Sequence, residues 1–372
     1  MRLSRLAAVL ILASAASLRA QCPSFATGIT YPNAPSQTAA IAAGDFDGDG
    51  NTDLAIGGKA SSTVLILYGN GDGTFGRSTS LDAKSVIESI FPADFNGDGK
   101  LDLAVATIGG VSIHLNQGDG TFSQKSYHYG EFPGQIIAAD FNGDGVLDLV
   151  TANLATADAT VLIGKGDGTF TPGARYPLEA RPQSVVVDDF NRDGKPDFAV
   201  VKAGSANVSV FLGNGDGTFT AAPVFGARFQ PEYVSTGDFN GDGNLDLVIS
   251  YANTALATLF LGNGNGSFNG PYDMPGLGSL YVTVTDLNRD GIPDLVMPIV
   301  ETQNVDVFIG QGDGTFEAPI VLDSPMQPSA IAVADFNGDG EPDLAVTNET
   351  SNTVTVFLNG CVKPNRKHVI RR

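Results

Sequence analysis

A nine-residue acidic loop occurs seven times in this chain at nearly constant intervals. One copy reads DFNGDGKLD and runs from Asp94 to Asp102. Self-similarity at a period of about 20–50 residues is typical of solenoids, propellers and repeat arrays. The repeat therefore constrains the fold more than any other feature of the chain. The copies are separated by 49, 46, 49, 49, 48 and 49 residues, and they begin at Asp45, Asp94, Asp140, Asp189, Asp238, Asp286 and Asp335.

Each repeat has the pattern of four short strands. An apolar stretch such as SVVVDDF leads into the loop, and a second stretch such as DLAVA follows it. A third stretch ends in a glycine turn, as in VSVFLGNGDGTF, and a fourth segment completes the unit. Seven such repeats predict an all-β fold, a seven-bladed β-propeller of four-stranded antiparallel blades. A parallel β-helix would need a shorter rung, and separate domains would need linkers.

The two ends of the repeat region complement each other. The seventh repeat stops after its third strand, NTVTVFLNGC, whereas CPSFATGITYP precedes the first loop and has the pattern of a fourth strand. Phe25 in that segment occupies the place of Phe75 and Phe219 in their repeats. We therefore expect the N-terminal strand to complete the last blade and close the ring. Cys22 and Cys361 flank the missing turn, and we expect them to form a disulfide, which export would permit.

The chain begins with the pattern of an export signal. Two arginines precede an apolar stretch from Leu6 to Leu18, which is too short to span a membrane. Cleavage is expected after Ala20, with Ala16 as the alternative. The mature protein is expected to be secreted, in the extracellular space or the periplasm, without a transmembrane span and as a monomer. The predicted domains are a signal peptide (1–20), the propeller (21–361) and a basic, solvated tail (362–372).

The repeated loop has the pattern D-x-[DN]-x-D-G-x-x-D, with side-chain oxygens at positions 1, 3, 5 and 9. Glycine at position 6 lets the chain turn sharply around one point. Hard oxygen donors that converge in this way suit Ca²⁺, and the backbone carbonyl at position 7 would add a ligand. We therefore predict up to seven calcium sites, one per blade. Their ligands would be Asp45, Asp47, Asp49, Asn51 and Asp53; Asp94, Asn96, Asp98, Lys100 and Asp102; Asp140, Asn142, Asp144, Val146 and Asp148; Asp189, Asn191, Asp193, Lys195 and Asp197; Asp238, Asn240, Asp242, Asn244 and Asp246; Asp286, Asn288, Asp290, Ile292 and Asp294; Asp335, Asn337, Asp339, Glu341 and Asp343.

Two other interpretations of the loop are less consistent with the sequence. An EF-hand loop begins in the same way but needs a Glu at position 12, where every copy here carries an aliphatic residue, Met or Thr. A plain turn needs one or two Asp or Asn residues, not Asp at positions 1, 5 and 9 of all copies. The loops contain 22 Asp residues, and without them the chain has 19 acidic against 21 basic residues. The net charge of −20 therefore resides in the loops.

A second glycine motif, GNGDGTF and its variants, carries a single acidic or amide residue. We interpret it as a hairpin turn rather than a metal site, and its Phe is predicted to lie in the core between blades. The acidic or amide residues of this motif are Asp72, Asp119, Asp167, Asp216, Asn265 and Asp313. The aromatic residues are Phe75, Phe122, Phe170, Phe219, Phe268 and Phe316.

These loops and strands resemble the FG-GAP/VCBS-type repeats, a family that includes the integrin α-subunit propeller. The resemblance covers nearly the whole mature chain. It implies calcium in the loop between the first two strands of each blade, and a role in adhesion or ligand binding. Arg192 and Arg289 replace the glycine at position 4, which is not a side-chain ligand, so these two sites are expected to be retained. Since the sequence shows neither an integrin transmembrane helix nor an inserted domain, we do not expect an integrin.

The two faces of the predicted propeller differ in how much they vary between repeats. Loops 1–2 and 3–4 share one face and are nearly identical, whereas loops 2–3 and 4–1 share the other face and differ in every repeat. A specific binding site requires side chains that differ from one repeat to the next. We therefore expect an extracellular glycan or protein ligand on the variable face. The candidate residues are Tyr127, His128, Tyr129, Tyr176, Arg181, Arg228, Phe229 and Tyr233.

The sequence favours a binding role over catalysis. It contains three histidines and neither a nucleophile elbow nor a zinc motif. Two alternatives remain open: a polysaccharide-acting enzyme, such as a lyase, built on a calcium-stabilised propeller, and a structural module of an envelope assembly. A nucleic-acid partner is not expected, because the net charge is −20 and no basic, aromatic face is visible.

Overall fold

The computed structural model describes residues 22–127, 132–251, 256–275, 279 and 281–360, and these residues form seven antiparallel sheets. Each sheet is one blade of a β-propeller, so the predicted fold is confirmed. The first strands of neighbouring blades contact one another around the axis of the ring. The signal peptide and the basic tail predicted from the sequence lie outside the described residues. Within the described part of the chain, no helix is long and apolar enough to cross a membrane.

The strands are numbered in chain order, and each blade is built from the axis outwards. The strands are β2 (Thr38–Gly44), β3 (Asp53–Gly58), β4 (Thr63–Gly69) and β5 (Phe75–Asp82) in blade 1; β6 (Ile87–Ala93), β7 (Asp102–Thr107), β8 (Gly110–Asn116) and β9 (Phe122–Tyr127) in blade 2; β10 (Pro133–Ala139), β11 (Asp148–Asn153), β12 (Asp158–Gly164) and β13 (Phe170–Pro177) in blade 3; β14 (Arg181–Asp188), β15 (Asp197–Ala203), β16 (Asn207–Gly213), β17 (Phe219–Ala221) and β18 (Phe225–Gly226) in blade 4; β19 (Pro231–Gly237), β20 (Asp246–Tyr251), β21 (Leu256–Gly262) and β22 (Phe268–Pro275) in blade 5; β23 (Thr283–Thr285), β24 (Asp294–Ile299), β25 (Asn304–Phe308) and β26 (Ile320–Asp323) in blade 6; β27 (Pro328–Ala334), β28 (Asp343–Asn348), β29 (Thr353–Phe357) and β1 (Ile29–Tyr31) in blade 7.

The second strand of each blade is buried along nearly its whole length, because a neighbouring blade packs on each of its two faces. In β3, Leu54 and Ile56 pack towards blade 7, whereas Ala55 packs towards blade 2. Successive side chains of a strand point to opposite faces, so an unbroken apolar run serves two interfaces at once. This is why DLAVA-type segments lack the polar alternation of a half-exposed strand. The core of the protein is therefore a ring of interfaces between blades.

The fourth strand of blade 4 is interrupted. Strands β17 and β18 both pair with β16, and Pro223 lies between them. Proline has no backbone N–H to donate to a sheet, so the outer edge of a blade is the place where it is tolerated. The sequence TAAPVFG thus explains the break.

The N-terminal strand closes the ring, in agreement with the prediction. Strand β1 pairs antiparallel with β29 and supplies the fourth strand of blade 7. The pairing continues beyond the strand, since Ala26 N donates to Leu358 O at 2.8 Å and Gly360 N donates to Ser24 O at 2.7 Å. Phe25 packs against the hydrophobic cluster between blades 6 and 7. The two ends of the repeat region are thereby joined by main-chain hydrogen bonds in one sheet, and the last blade keeps no open seam.

The predicted disulfide remains a prediction, because Cys361 lies outside the described residues. We expect mass spectrometry of the exported protein under non-reducing conditions to show Cys22 and Cys361 joined. The pairing of Ser24 with Gly360 brings the chain segments beside these two cysteines together. A cross-link between such distant positions stabilises the fold by about 5 kcal/mol in the chain-entropy model, which is an upper value because the strand pairing already restrains the ends. Two free thiols in the folded protein would contradict the prediction.

His114 is a buried titratable group in the third strand of blade 2. Its imidazole is 2% exposed, and Nε2 lies 3.1 Å from Ser112 Oγ. Burial lowers its pKa from 6.5 to about 4, against the attraction of Asp82 and together with the repulsion of Lys84. The folded protein therefore keeps His114 neutral at a pH where the unfolded chain already binds a proton.

We expect acidification from pH 6.5 to about 4 to destabilise the fold through His114 by about 3 kcal/mol. This stability is lost as the pH falls from the unfolded pKa to the folded pKa. In that range the unfolded chain protonates His114, whereas the folded protein keeps it neutral. The matched control is His114→Leu, since Leu67 and Leu162 occupy the same register in blades 1 and 3. Urea unfolding at several pH values measures the difference. Identical pH profiles for the two proteins would contradict this prediction.

Candidate metal centres and ligand face

The seven acidic loops share one hydrogen-bonded conformation. The carboxylate at position 1 accepts from the N–H of the glycine at position 6 in every copy, for example Gly50 N to Asp45 Oδ2 at 2.9 Å. The side chain at position 3 accepts from the N–H at position 5. The carboxylate at position 5 accepts from the N–H at position 7. These hydrogen bonds hold the side-chain oxygens of positions 1, 3 and 5 on the inside of one turn.

The backbone of the loop explains its glycines. Gly50 has φ 87° and the equivalent glycines have similar positive values, which L-residues adopt with difficulty. Position 4 is also left-handed, and Arg192 (φ 62°) and Arg289 (φ 55°) adopt this conformation in place of glycine. Their side chains reach position 7 of the next blade: Arg192 Nη1 donates to Asn244 Oδ1 at 3.3 Å, and Arg289 Nε lies 3.5 Å from Glu341 Oε2. The two substitutions therefore keep the loop conformation and add contacts between blades.

The first loop brings three carboxylates close together. Carboxylate oxygens of Asp45, Asp47 and Asp49 lie within 4.8 Å of one another. Three carboxylates in that space suit a hard divalent cation such as Ca²⁺, which takes oxygen ligands and tolerates irregular geometry. The other six loops have Asn at position 3, whose amide oxygen is also a hard donor. Arg77 forms an ion pair with Asp47 and so offsets the extra negative charge of the first loop.

The aspartate at position 9 has a second role that the sequence did not reveal. Both oxygens of Asp53 accept buried backbone N–H groups, from Phe46 at 2.7 Å and from Gly69 at 2.8 Å. The same pair of bonds occurs in all seven blades. This carboxylate therefore clamps the loop to the end of the third strand. Each oxygen retains a lone pair, so the clamp is compatible with the predicted metal contact.

The electrostatics of position 9 follow from its burial. Asp53 is 0% exposed, and burial raises its pKa to about 6, with Asp47 and Asp45 adding repulsion. The two backbone N–H donors act in the opposite direction. Burial also raises the pKa of Asp148, and it raises the pKa values of the remaining counterparts to about 6; these are Asp102, Asp197, Asp246, Asp294 and Asp343. The carbonyl ligands at position 7 remain a prediction.

The second glycine motif forms turns, as predicted. Asp72 Oδ1 accepts from the N–H and the hydroxyl of Thr74, and the equivalent residues of the other copies do the same. This bonding lowers the pKa of Asp72. This oxygen is therefore engaged in hydrogen bonds within the turn.

The same turns tie each blade to the acidic loop of the preceding blade. Gly217 N donates to Phe141 O at 3.0 Å, and four other blades repeat this bond. In blades 2 and 7 the donor is an asparagine side chain instead, Asn116 to Phe46 O at 2.8 Å and Asn359 to Leu287 O at 3.1 Å. The Phe residues of the two motifs pack edge to face across the same interfaces, as predicted for the inter-blade core; the pairs are Phe75–Phe336, Phe170–Phe95, Phe219–Phe141, Phe268–Phe190 and Phe316–Phe239.

The residues predicted for the ligand face do not all lie in one place. Arg181 and Phe229 are exposed, and Phe229 is 62% accessible. Arg228 is exposed and forms an ion pair with Asp273, in which Nε lies 3.1 Å from Oδ1. Tyr233 lies in a cavity on the axis of the ring. These four residues are compatible with a binding surface.

The remaining candidates for the ligand face have other positions. Tyr176 packs against Phe198, Phe211 and Phe219 between blades 3 and 4, and its hydroxyl accepts from Phe219 N at 2.8 Å. It therefore serves the blade interface. Tyr127 ends β9, but the structure does not describe its side chain, and His128 and Tyr129 lie outside the described residues.

Sequence reasoning missed the polar groups around the axial cavity. Lys59, Glu88, Glu232 and Tyr281 line it, although they belong to four different blades. A signal was present in the spacing, because Glu88 and Glu232 both stand six residues before an acidic loop. The residue type at that position differs between repeats, so the repeat pattern itself did not mark it.

Comparison with known proteins identifies the repeat. The FG-GAP-like repeat matches residues 45–105, 94–151, 140–200, 189–249, 238–297 and 299–346. No curated protein matches the chain.

Several solved structures share the fold. One is that of an Agrocybe aegerita lectin, described as the structural basis of specific recognition of non-reducing terminal N-acetylglucosamine; it is 21% identical over 88% of this chain and 86% of that chain, with a TM-score of 0.58. Two others are of BBS1N in complex with ARL6DN, soaked with lead or with mercury. Each is 12% identical over 92% of this chain and 98% of that chain, with TM-scores of 0.67 and 0.66. At these identities the likeness concerns the fold. The six matched segments span most of the propeller, and the chain belongs to the FG-GAP-like repeat family.

Proposed function

We propose that this protein is an exported, calcium-stabilised module that binds a glycan through the propeller face opposite its acidic loops. The observation that carries the proposal is the contrast between the two faces. One face consists of seven loops with the same internal hydrogen bonds, as required for a repeated structural element. The other face carries different side chains in each blade, among them the exposed Arg181, Arg228 and Phe229.

Calcium would be held by the carboxylates and amides at positions 1, 3 and 5, with position 9 and the position-7 carbonyl as further ligands. When bound, the ion would neutralise carboxylates that otherwise repel one another. The loops contribute to the blade interfaces through the residue at position 2, such as Phe141, which accepts from Gly217 and packs against Phe219. We therefore assign the metal a role in stability, and the opposite face a role in recognition.

Three considerations support a glycan as the ligand. Arginine and aromatic side chains provide directed hydrogen bonds and rigid apolar area, the combination enriched at recognition sites. The pattern of the first 20 residues predicts export, where polysaccharides are accessible. One structural neighbour is a lectin described as recognising terminal N-acetylglucosamine. That property belongs to the lectin, and for this chain it favours testing saccharides first.

A glycan array probed with the exported protein in calcium tests the proposal. We expect at least one glycan to bind, and its affinity to fall about tenfold in Arg228→Ala or Arg181→Ala, the loss expected for one charge-assisted hydrogen bond. Lys165→Ala is the matched control, because it removes an exposed cation from a turn on the acidic-loop face. Melting temperatures show whether each variant is folded. Loss of binding in the Lys165 variant alone would place the site on the acidic-loop face and contradict the proposal. Turnover of polyuronides would favour the enzyme alternative.

A further inference from the structure

A cavity of about 430 Å³ lies on the axis of the ring, at the end of the inner strands remote from the acidic loops. The loops follow the C-terminal ends of these strands, whereas the cavity is lined by residues near their N-terminal ends, such as Ala40, Ser89 and Gln135. All seven blades contribute to the wall. A volume in the range of about 300–1,000 Å³ is typical of sites for small molecules.

The inner strands share an irregularity at this cavity. In blades 1 to 5 the register between the first and second strands shifts by one residue at the same place, six residues before the acidic loop. Bulges of this kind redirect a side chain and occur often beside functional sites. The bulged residue is small in blades 1 and 3, but it is Glu88, Gln183 and Glu232 in blades 2, 4 and 5, and all three line the cavity. The bulges therefore aim polar groups at the axis.

Hydrogen bonds fix several of these groups in place. Gln183 Nε2 donates to Glu232 Oε2 at 2.7 Å. Gln135 Nε2 donates to the hydroxyl of Tyr233 at 3.2 Å, while its oxygen accepts from a backbone N–H of the next blade at 2.9 Å. The rings of Tyr233 and Tyr281 lie beside each other with centroids 5.2 Å apart. The wall thus carries amide, carboxylate and tyrosine groups that are held in place by hydrogen bonds and ring contacts.

Charges of both signs face this space. Lys59 enters from the loop between β3 and β4, and its pKa is raised by Tyr281, Glu349 and Glu88. Burial raises the pKa values of Glu88 and Glu232, and Lys59 acts in the opposite direction. Among the residues that the structure describes, no ion pair within 4.0 Å joins Lys59 to Glu88 or Glu232. The ammonium and the two carboxylates are therefore more than 4.0 Å apart, and all three residues line the same cavity.

We propose that this axial cavity binds a neutral, hydroxyl-rich ligand of the size of a mono- or disaccharide. The carboxylates of Glu88 and Glu232 would accept from ligand hydroxyls, and the Lys59 ammonium would donate to them. The tyrosine rings would contact the C–H faces of the ligand. Two carboxylates against one ammonium make the wall net negative, which disfavours acidic sugars. The inference rests on the proposed ligand-binding function and assigns it a specific site.

Saturation-transfer NMR with a panel of common neutral mono- and disaccharides tests this site on the calcium-loaded protein. We expect at least one saccharide to bind the wild type, and its affinity to fall about tenfold in Glu88→Gln and in Glu232→Gln, because the ligand hydroxyl then donates to a neutral amide oxygen instead of a carboxylate. Glu301→Gln is the matched control: it makes the same chemical change at an exposed residue between β24 and β25, on the same face. It should bind like the wild type.

The possible results separate this inference from the proposed function. If a saccharide binds the wild type and both axial variants equally, glycan binding stands and the axial site is wrong. If Arg228→Ala removes that binding, the ligand binds near Arg228, between blades 4 and 5, instead of in the cavity. If no saccharide in the panel binds the folded wild type, the ligand class proposed for the cavity is wrong, whatever larger glycans the array detects. Melting temperatures of all variants exclude loss of the fold as the cause.

Discussion

Removal of calcium with EDTA is expected to lower the melting temperature of this protein by more than about 10 °C. An ion that binds only the folded state stabilises it by about 2.7 kcal/mol per site when its concentration is 100 times Kd. Each kcal/mol corresponds to about 1–2 °C in a domain of this size, because the unfolding entropy grows by about 2.1 cal/mol/K per residue. Even if only some of the seven loops bind calcium this tightly, the combined effect is large. Differential scanning calorimetry with and without chelator measures it.

The arrangement of the loops explains why this effect would extend beyond the loops themselves. Position 2 of each loop is a buried residue, such as Phe141, in the interface with the next blade. Each loop also accepts a hydrogen bond from that blade. Repulsion between carboxylates in a metal-free loop would therefore act on the interfaces that hold the ring together.

Asp94→Ala is the corresponding single-site variant, and it should remove one calcium ion and leave six predicted sites. Elemental analysis of the dialysed protein provides the count. The calcium prediction fails if the melting curve is unchanged in EDTA although the same analysis confirms that the protein contains no metal.

Asp197→Ala is expected to destabilise the protein by about 2–6 kcal/mol, with or without calcium. Its two oxygens accept from Phe190 N at 3.0 Å and from Gly213 N at 2.7 Å, and all these groups are buried. Alanine leaves two buried N–H donors without an acceptor, and each such donor costs about 1–3 kcal/mol. The loop would then be detached from the end of the third strand. Urea unfolding in calcium and in EDTA measures the loss.

Asp193→Ala in the same loop is the matched control. Asp193 is exposed at position 5, where its carboxylate accepts from the N–H of Lys195 and pairs with that side chain at 3.8 Å. We expect it to weaken the calcium site and to lower stability in calcium, but to have little effect in EDTA. If Asp197→Ala were likewise neutral in EDTA, position 9 would be a metal ligand alone and the clamp would not contribute.

Much of the fold followed from local patterns in the sequence. The period of the acidic loop predicted the seven blades, and the missing fourth strand predicted the pairing of β1 with β29. The Phe of the second glycine motif was correctly assigned to the blade interfaces. Each of these inferences depends on a feature repeated within about 50 residues, where strand length, turn residues and alternation are read directly from the chain.

Contacts between residues that are far apart in the sequence became visible only in the tertiary structure. Asp53 clamps a strand that ends 16 residues later, so its partner Gly69 could not be read from the loop. Tyr176 was predicted on the ligand face, but the next blade supplies three phenylalanine rings that enclose it. The axial cavity collects residues from all seven blades, and they have no common residue type. A repeat pattern marks positions that are alike, whereas a binding site is formed by positions that differ and are brought together only when the ring closes.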